Sequence, residues 1–217
     1  MPKNENREYR NMILEVVSEE RAEEGTDERK VVAGYASTFN EPYILYQDDD
    51  LIYEEQVDSF AFDETDMNDV IMQYDHQGRV FARISNNTLE VKPDEKGLYI
   101  EADLGGTELG RQLYDEIRGG YTDKMSFGFI VDKDEELRTE AEDGRVRILR
   151  TITAISKLFD VSAVSIPANN GTSISVSTRC RIDGAIEDLR AERLAAEKLE
   201  LEKRRLEVKA KALARKE

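Results

Sequence analysis

The sequence predicts an α+β fold: a mostly antiparallel, barrel-like β core with a few helices, followed by a long C-terminal α-helix. Three observations lead to this prediction. Short apolar segments recur between turn-forming residues through the first 178 residues. One short helical pattern interrupts them, and the chain ends in a segment rich in Ala, Leu, Glu, Lys and Arg. Many short strands with few helices are typical of a barrel or a sandwich.

The clearest strand candidate is LYIEADL at 98–104, in which apolar residues occupy every second position. A period of two is what a half-buried strand produces. The other β candidates are residues 31–38, 70–74, 87–91, 125–131, 146–155 and 161–166. Residues 134–145 are so highly charged that we predict a mobile loop there.

One amphipathic helix is predicted after Thr107. The apolar residues Leu109, Leu113 and Ile117 lie four apart and therefore share one face of a helix. Thr107 is a typical N-cap residue, and Gly119 can end the helix.

The C-terminal residues 179–217 differ in charge from the rest of the chain. They carry a net charge of +3, whereas residues 1–178 carry −19. Apolar residues with a heptad spacing, including Leu194, Leu201 and Val208, predict a long helix with more than one apolar row. This helix could join a bundle or a partner's groove, or it could be a solvated tail that is helical only part of the time.

Composition excludes several classes of protein. A net charge of −16 disfavours a nucleic-acid-binding surface, which needs clustered Lys and Arg. One His and one Cys disfavour a His- or Cys-rich metal site, and the acidic run at 48–50 is best explained as a solvated loop, so we expect neither metal nor cofactor. The polar N-terminus and the lack of a long apolar segment predict an intracellular protein that is soluble and makes no membrane contact.

Three residues are candidates for chemistry. His76 is the sole histidine, so any Ser–His or Cys–His device must use it. Ser126 lies in MSFGF, where small neighbours let a substrate approach closely, and Asp160 is an acid within an otherwise apolar segment. Cys180 has no nearby base, and we interpret it as incidental.

The segments around these residues resemble the prohead proteases of tailed phages, serine peptidases of capsid maturation related to herpesvirus assemblin. Phe60 stands where that family usually has Gly. The matching segments occur in the family's order, and they are VAGYASTF at 32–39, EQVDSFAF at 55–62, DVIMQYDHQGRVFAR at 69–83, GLYIEADLGGTELGRQLYDEIRGGYTDKMSFGF at 97–129 and LFDVSAVSIPAN at 158–169.

This resemblance implies a catalytic triad. Ser126 would be the nucleophile, His76 the general base and then general acid, and Asp160 the group that orients His76. Assemblins use a second His in the third role, but this chain has only one, so an acid must take it. Asp75 is the rival to Asp160. Since the pKa of an unperturbed His is about 6.5, activity should rise through roughly pH 6–7.

The resemblance also implies a function. Residues 31–178 would form the prohead protease domain, after an N-terminal lead-in at 1–30 that contains a first strand, and residues 179–217 would be a scaffold-binding or removable tail. The expected partner is the major capsid protein with its scaffold segment, together with self-association. The enzyme would act in the host cytoplasm, inside the immature capsid. The alternatives are an inactive assembly protein acting through the tail and a generic acidic binding domain with a coiled-coil tail.

Overall fold

The computed structural model describes residues 7–12, 17–21, 29–165 and 176–214. The chain divides into two compact units, Met1–Val176 and Ser177–Glu217. The first unit contains all the described strands and the first helix, and the second consists of the long C-terminal helix.

The described elements follow the chain in a largely β order. The strands are β1 (Glu8–Met12), β2 (Val17–Arg21), β3 (Arg29–Thr38), β4 (Tyr43–Gln47), β5 (Leu51–Val57), β6 (Ile71–Tyr74), β7 (Gln77–Arg83), β8 (Leu89–Pro93), β9 (Gly97–Asp103), β10 (Lys124–Glu140) and β11 (Val146–Val164). The helices are α1 (Glu108–Arg118) and α2 (Val176–Ala214), with a 3₁₀ turn at Ile84–Asn86. The predicted α+β class is therefore confirmed.

These strands form two sheets. The seven-stranded sheet has the order β1-β10-β11-β5-β4, with β6 added on β11 and β7 on β6, and the four-stranded sheet has the order β2-β3-β9-β8. Most neighbours are antiparallel, but β11 runs parallel to β5 through its first half and parallel to β6 through its second. No closed barrel forms among the described strands, so the barrel-like arrangement is not confirmed.

One apolar core joins both sheets and α1. Val32 and Ile100 contribute from the four-stranded sheet, Phe127 and Ile152 from the seven-stranded sheet, and Leu113 from α1. The period-two segment at 98–104 corresponds to β9, whose residues 98, 100 and 102 are buried as the pattern predicts. This core fixes β10 and β11, the two strands that carry the site described below.

Helix α1 forms where the sequence predicts it. The Thr107 side chain accepts a hydrogen bond from the Gly110 N–H at 2.9 Å, which confirms the N-cap. Leu113 and Ile117 are buried, whereas Leu109 lies at the edge of the apolar face and is 37% exposed.

The prediction of a mobile loop at 134–145 is wrong. Strand β10 continues to Glu140 and pairs with β11 in a long hairpin, whose connection is only residues 141–145. Charged side chains are stabilised there by cross-strand partners: Arg150 donates to Asp134 at 2.6 Å, and the Tyr53 hydroxyl donates to Glu136 at 2.7 Å. The two β segments predicted at 146–155 and 161–166 form one strand, β11, up to Val164.

Helix α2 carries a set of solvent-exposed apolar side chains. They are Leu194, Leu199, Leu201, Leu206 and Val208, each more than half exposed. Among the residues that the structure describes, no helix combines the length and the apolarity that crossing a membrane requires.

Candidate active site

His76 lies on a tight turn between β6 and β7. Tyr74 pairs with Gln77, so Asp75 and His76 form a two-residue hairpin loop, and both have positive φ angles of 49° and 57°. Positive φ at both central residues is the mark of a type I′ turn, whose twist matches that of the flanking strands. Asp and His are among the residues that tolerate this left-handed region, so the sequence suits the turn.

Asp75 anchors this turn to the end of β11. Its N–H donates to the Ala163 carbonyl at 3.0 Å. Its carboxylate accepts hydrogen bonds from the Ser165 N–H and the Ser165 hydroxyl, each at 2.9 Å. The Asp75 carboxylate is therefore engaged in holding the position of the hairpin.

Ser126 lies on β10 between two neighbouring strands. Asn11 of β1 and Ser162 of β11 are its partners in register. Its Oγ lies 2.5 Å from His76 Nε2 and 2.7 Å from the Arg10 carbonyl oxygen, and the residue is fully buried. A hydroxyl has one proton to donate, so the Arg10 carbonyl competes with His76 for it.

Asp160 faces the other side of the His76 ring. Its Oδ1 lies 2.5 Å from His76 Nδ1 and also accepts a hydrogen bond from the Ser162 hydroxyl at 2.9 Å. Its Oδ2 is paired with the Arg7 guanidinium. The carboxylate is completely buried, so these partners replace the water that would otherwise solvate its charge.

The three sequence candidates therefore meet in a chain from Asp160 through His76 to Ser126. In such a chain, a base accepts the proton of a hydroxyl that attacks a carbonyl, and an acid stabilises the imidazolium that forms. Asp75, the rival acid, lies in the same turn as His76, but its carboxylate contacts Ser165.

The surroundings of His76 disfavour its charged form. Burial, and then the positive charge of Arg7, lower the pKa of His76 to about 4, while Asp75 acts in the opposite direction. The sequence expectation of activity rising through pH 6–7 assumed an unperturbed imidazole. A neutral His76 is instead available as a base well below pH 6.

Several residues of the site were not found from the sequence. Arg7 and Arg10 belong to a polar N-terminus without a motif, and their approach depends on the pairing of β1 with β10. The structure also explains why position 128 of the MSFGF segment is a glycine, which the sequence alone did not. A Cβ there would lie 2.7 Å from Asp160 Oδ2 and 2.8 Å from Arg7 Nη2.

In the described part of the chain, the side chains that could ligate a metal do not form a cluster. No three His, Cys, Asp or Glu side chains gather there in a group that could hold an ion. Both ring nitrogens of His76 already have partners, and Cys180 is exposed.

Comparisons with known proteins give a matching family and a similar solved structure. Residues 16–183 match the family described as the caudovirus prohead serine protease. Among solved structures, the chain is similar to the capsid assembly protease gp21 of bacteriophage T4, with 12% identity and a TM-score of 0.38, over 72% of this chain and 98% of that chain. A search among curated proteins found no match.

Proposed function

The chain belongs to the family of caudovirus prohead serine proteases, and on that premise we propose that it is a serine endopeptidase of prohead maturation. Its substrates are the scaffold part of the major capsid protein and the enzyme itself. The observation that carries the proposal is the Asp160–His76–Ser126 chain, with 2.5 Å at each of its two contacts. Family membership supports a protease, and the geometry supports these three residues as its catalytic groups.

In the proposed mechanism, Ser126 Oγ attacks the scissile carbonyl carbon while His76 Nε2 takes its proton. The imidazolium then gives that proton to the leaving amine, and water completes the cycle by hydrolysing the acyl-enzyme with His76 as base. Asp160 holds Nδ1–H and so keeps the Nε2 lone pair directed at Ser126. When the Ser126 hydroxyl donates its proton to the Arg10 carbonyl oxygen, the nucleophile is not activated, and we assign this arrangement to the resting enzyme.

Membership of a prohead protease family supports capsid and scaffold proteins as partners and the immature capsid as the place of action. The exposed apolar residues of α2 support the tail as a contact for scaffold helices, since a row of apolar side chains on a helix can bind in a partner's apolar groove. We assign residues 31–178 to the protease domain and residues 179–217 to this scaffold-binding or removable tail.

The test is mass spectrometry of the full chain co-expressed with the capsid protein of the same phage. We expect defined truncations of the capsid protein, or of this chain, that disappear in Ser126→Ala. Ser156→Ala is the matched control, because Ser156 is an exposed serine on β11, remote in register from Ser126. Intact masses in the wild type would contradict the proposal and favour an inactive assembly protein that acts through its tail.

A further inference from the structure

We propose that Arg7 is a positioning residue of this site. It holds Oδ2 of the Asp160 carboxylate, while Oδ1 of the same carboxylate faces His76. This inference rests on the proposed function and adds a fourth residue to its machinery. Arg7 lies before β1, so the catalytic arrangement is complete only when the N-terminal segment is docked on β10.

The first argument is the division of the carboxylate between its partners. Asp160 Oδ1 faces His76 Nδ1 and the Ser162 hydroxyl, and Oδ2 faces the Arg7 guanidinium. A carboxylate with fixed partners on both oxygens cannot rotate without losing one of them. The orientation of Oδ1 towards His76 is therefore determined in part by Arg7.

The second argument is that the surroundings hold the Arg7 guanidinium itself in place. Its central carbon lies 4.4 Å from the centroid of the Phe159 ring and 5.0 Å from that of Tyr9. The absence of a side chain at Gly128 leaves the space in which Arg7 Nη2 meets Asp160 Oδ2. A guanidinium stacked on aromatic rings and ion-paired in a shaped gap loses little further freedom when it acts.

The third argument concerns how β1 is fixed to the sheet. Residues 8–12 pair with 125–129 of β10, and the Arg10 side chain donates to Glu55 of β5 at 2.5 and 2.8 Å. Both Arg10 and Glu55 are buried. This ion pair ties the N-terminal strand across the sheet and so delivers Arg7 to Asp160.

The position of Arg7 predicts an electrostatic effect on His76. The charged or titratable groups that face the ring are Arg7 and Tyr9 from the N-terminal segment, Asp160 from β11 and Asp75 from the turn. The positive charge of Arg7 opposes the imidazolium and lowers the pKa of His76. Loss of that charge therefore raises the pKa of His76, and the neutral base becomes available only at higher pH.

The first experiment titrates His76 directly. The chain contains one His, so NMR of ¹³C-histidine-labelled full-length protein, purified without a His tag, follows His76 without any substrate. We expect Arg7→Gln to raise the pH midpoint of the His76 titration clearly above that of the wild type. Arg7→Lys should stay close to the wild type, because it keeps the positive charge. Gly128→Ala should act like Arg7→Gln, because its methyl group fills the gap and displaces the guanidinium.

The matched control is Arg83→Gln. Arg83 forms a surface ion pair with Asp69, and its side chain is 40% exposed, so this variant removes an arginine–aspartate pair away from the site. Its His76 midpoint should equal that of the wild type. Equal midpoints in wild type, Arg7→Gln and Gly128→Ala would overturn the inference. Should Arg7→Gln fail to fold, Gly128→Ala, which keeps the arginine, carries the same test.

The second experiment measures the reactivity of Ser126. The rate at which diisopropyl fluorophosphate modifies the full-length protein is followed by intact mass, with Ser126→Ala as the unreactive reference. We expect Arg7→Gln to react roughly 10- to 100-fold more slowly, and Arg7→Lys to fall between it and the wild type, because an ammonium lacks the fork of the guanidinium. A wild type no more reactive than Ser126→Ala would contradict the proposed function. An unchanged rate in Arg7→Gln would contradict only the role of Arg7.

Discussion

At the scale of single residues, the site depends on an unusual backbone position for its base. His76 is the second residue of a two-residue hairpin loop with positive φ at both residues. A left-handed conformation at a residue other than Gly costs about 1–3 kcal/mol and persists only where the surroundings hold it. Asp75 provides that hold through Ser165. The two candidate acids of the sequence hypothesis, Asp75 and Asp160, thus have separate structural roles.

This separation gives a prediction for the third catalytic role. We expect Asp160→Asn to lower kcat by about 10⁴-fold, because an amide favours the wrong tautomer of His76. Asp75→Asn should stay within a few-fold of the wild type, since Asn also tolerates positive φ and its amide oxygen can accept from Ser165. The measurement is kcat on the capsid-protein substrate, with thermal unfolding to verify that each variant is folded. A larger loss in Asp75→Asn than in Asp160→Asn would move the third role to Asp75.

Residue chemistry was also the level at which the sequence was most informative. Ser126, His76 and Asp160 could be named because their segments resemble those of a known family. The low pKa of His76 and the contribution of Arg7 could not be predicted, because both depend on burial and on the docking of β1. A polar N-terminal segment has no local sequence pattern from which the ion pair between Arg7 and Asp160 could be predicted.

At the scale of elements, buried charges hold the strands of the large sheet together. Arg10 of β1 and Arg150 of β11 both donate to Glu55 of β5, and both also pair with Glu8. Burial opposes the ionisation of Glu8, but Arg10 and Arg150 overcome it and lower the pKa of Glu8 from 4.5 to about 2. The stability that Glu8 contributes is therefore complete above about pH 4.5 and is lost as the pH falls towards 2.

We expect removal of one charge from this cluster to be strongly destabilising. Arg150→Met leaves Glu8 and Glu55 buried with one cation fewer, which should cost about 3–5 kcal/mol of unfolding free energy. Arg83→Met is the matched control, because Arg83 lies on β7 of the same sheet and the side chains of Arg83 and its partner Asp69 are 40% and 42% exposed. It should cost at most about 1 kcal/mol. Urea unfolding at neutral pH measures both, and equal midpoints would show that the buried cluster adds no stability.

At the scale of the whole molecule, the sequence predicted most of the strands but not their order. The period-two segment identifies β9, and apolar residues four apart after Thr107 identify the capped helix α1, because both patterns are local. Strand β11 pairs with β10, β5 and β6, which are far from one another in the chain, and two of these pairings are parallel. Such non-local pairing is decided by packing. The charged hairpin at 134–145 was missed for a different reason: its strands are neighbours in sequence, but its charged side chains are stabilised by partners on other strands, such as Tyr53 of β5 and Arg150 of β11.

The last prediction concerns the C-terminal unit and its proposed partner. Leu194, Leu201 and Val208 lie seven residues apart on α2 and are 56%, 56% and 66% exposed. If these side chains dock on scaffold helices, burying them contributes roughly 3 kcal/mol, or about 100-fold in association. The triple variant with Gln at these three positions should thus be recovered with proheads in much smaller amounts, while its unfolding and its Ser126 reactivity stay unchanged.

The matched control replaces exposed charged residues of the same helix, Lys198→Gln and Arg205→Gln, which are also seven apart. Recovery is measured as the mass-spectrometric ratio of this chain to the major capsid protein in purified proheads. Normal recovery of the apolar triple variant would contradict docking through this row. Loss of recovery in the charged control instead would assign the contact to the charged flanks of the helix. A contact made by apolar burial is weakened by the apolar triple variant, whereas a contact made by charge pairing is weakened by the charged control. If Ser126 reactivity is unchanged in both variants, the tail acts in delivery of the enzyme to the prohead, and the first unit alone carries the catalytic activity.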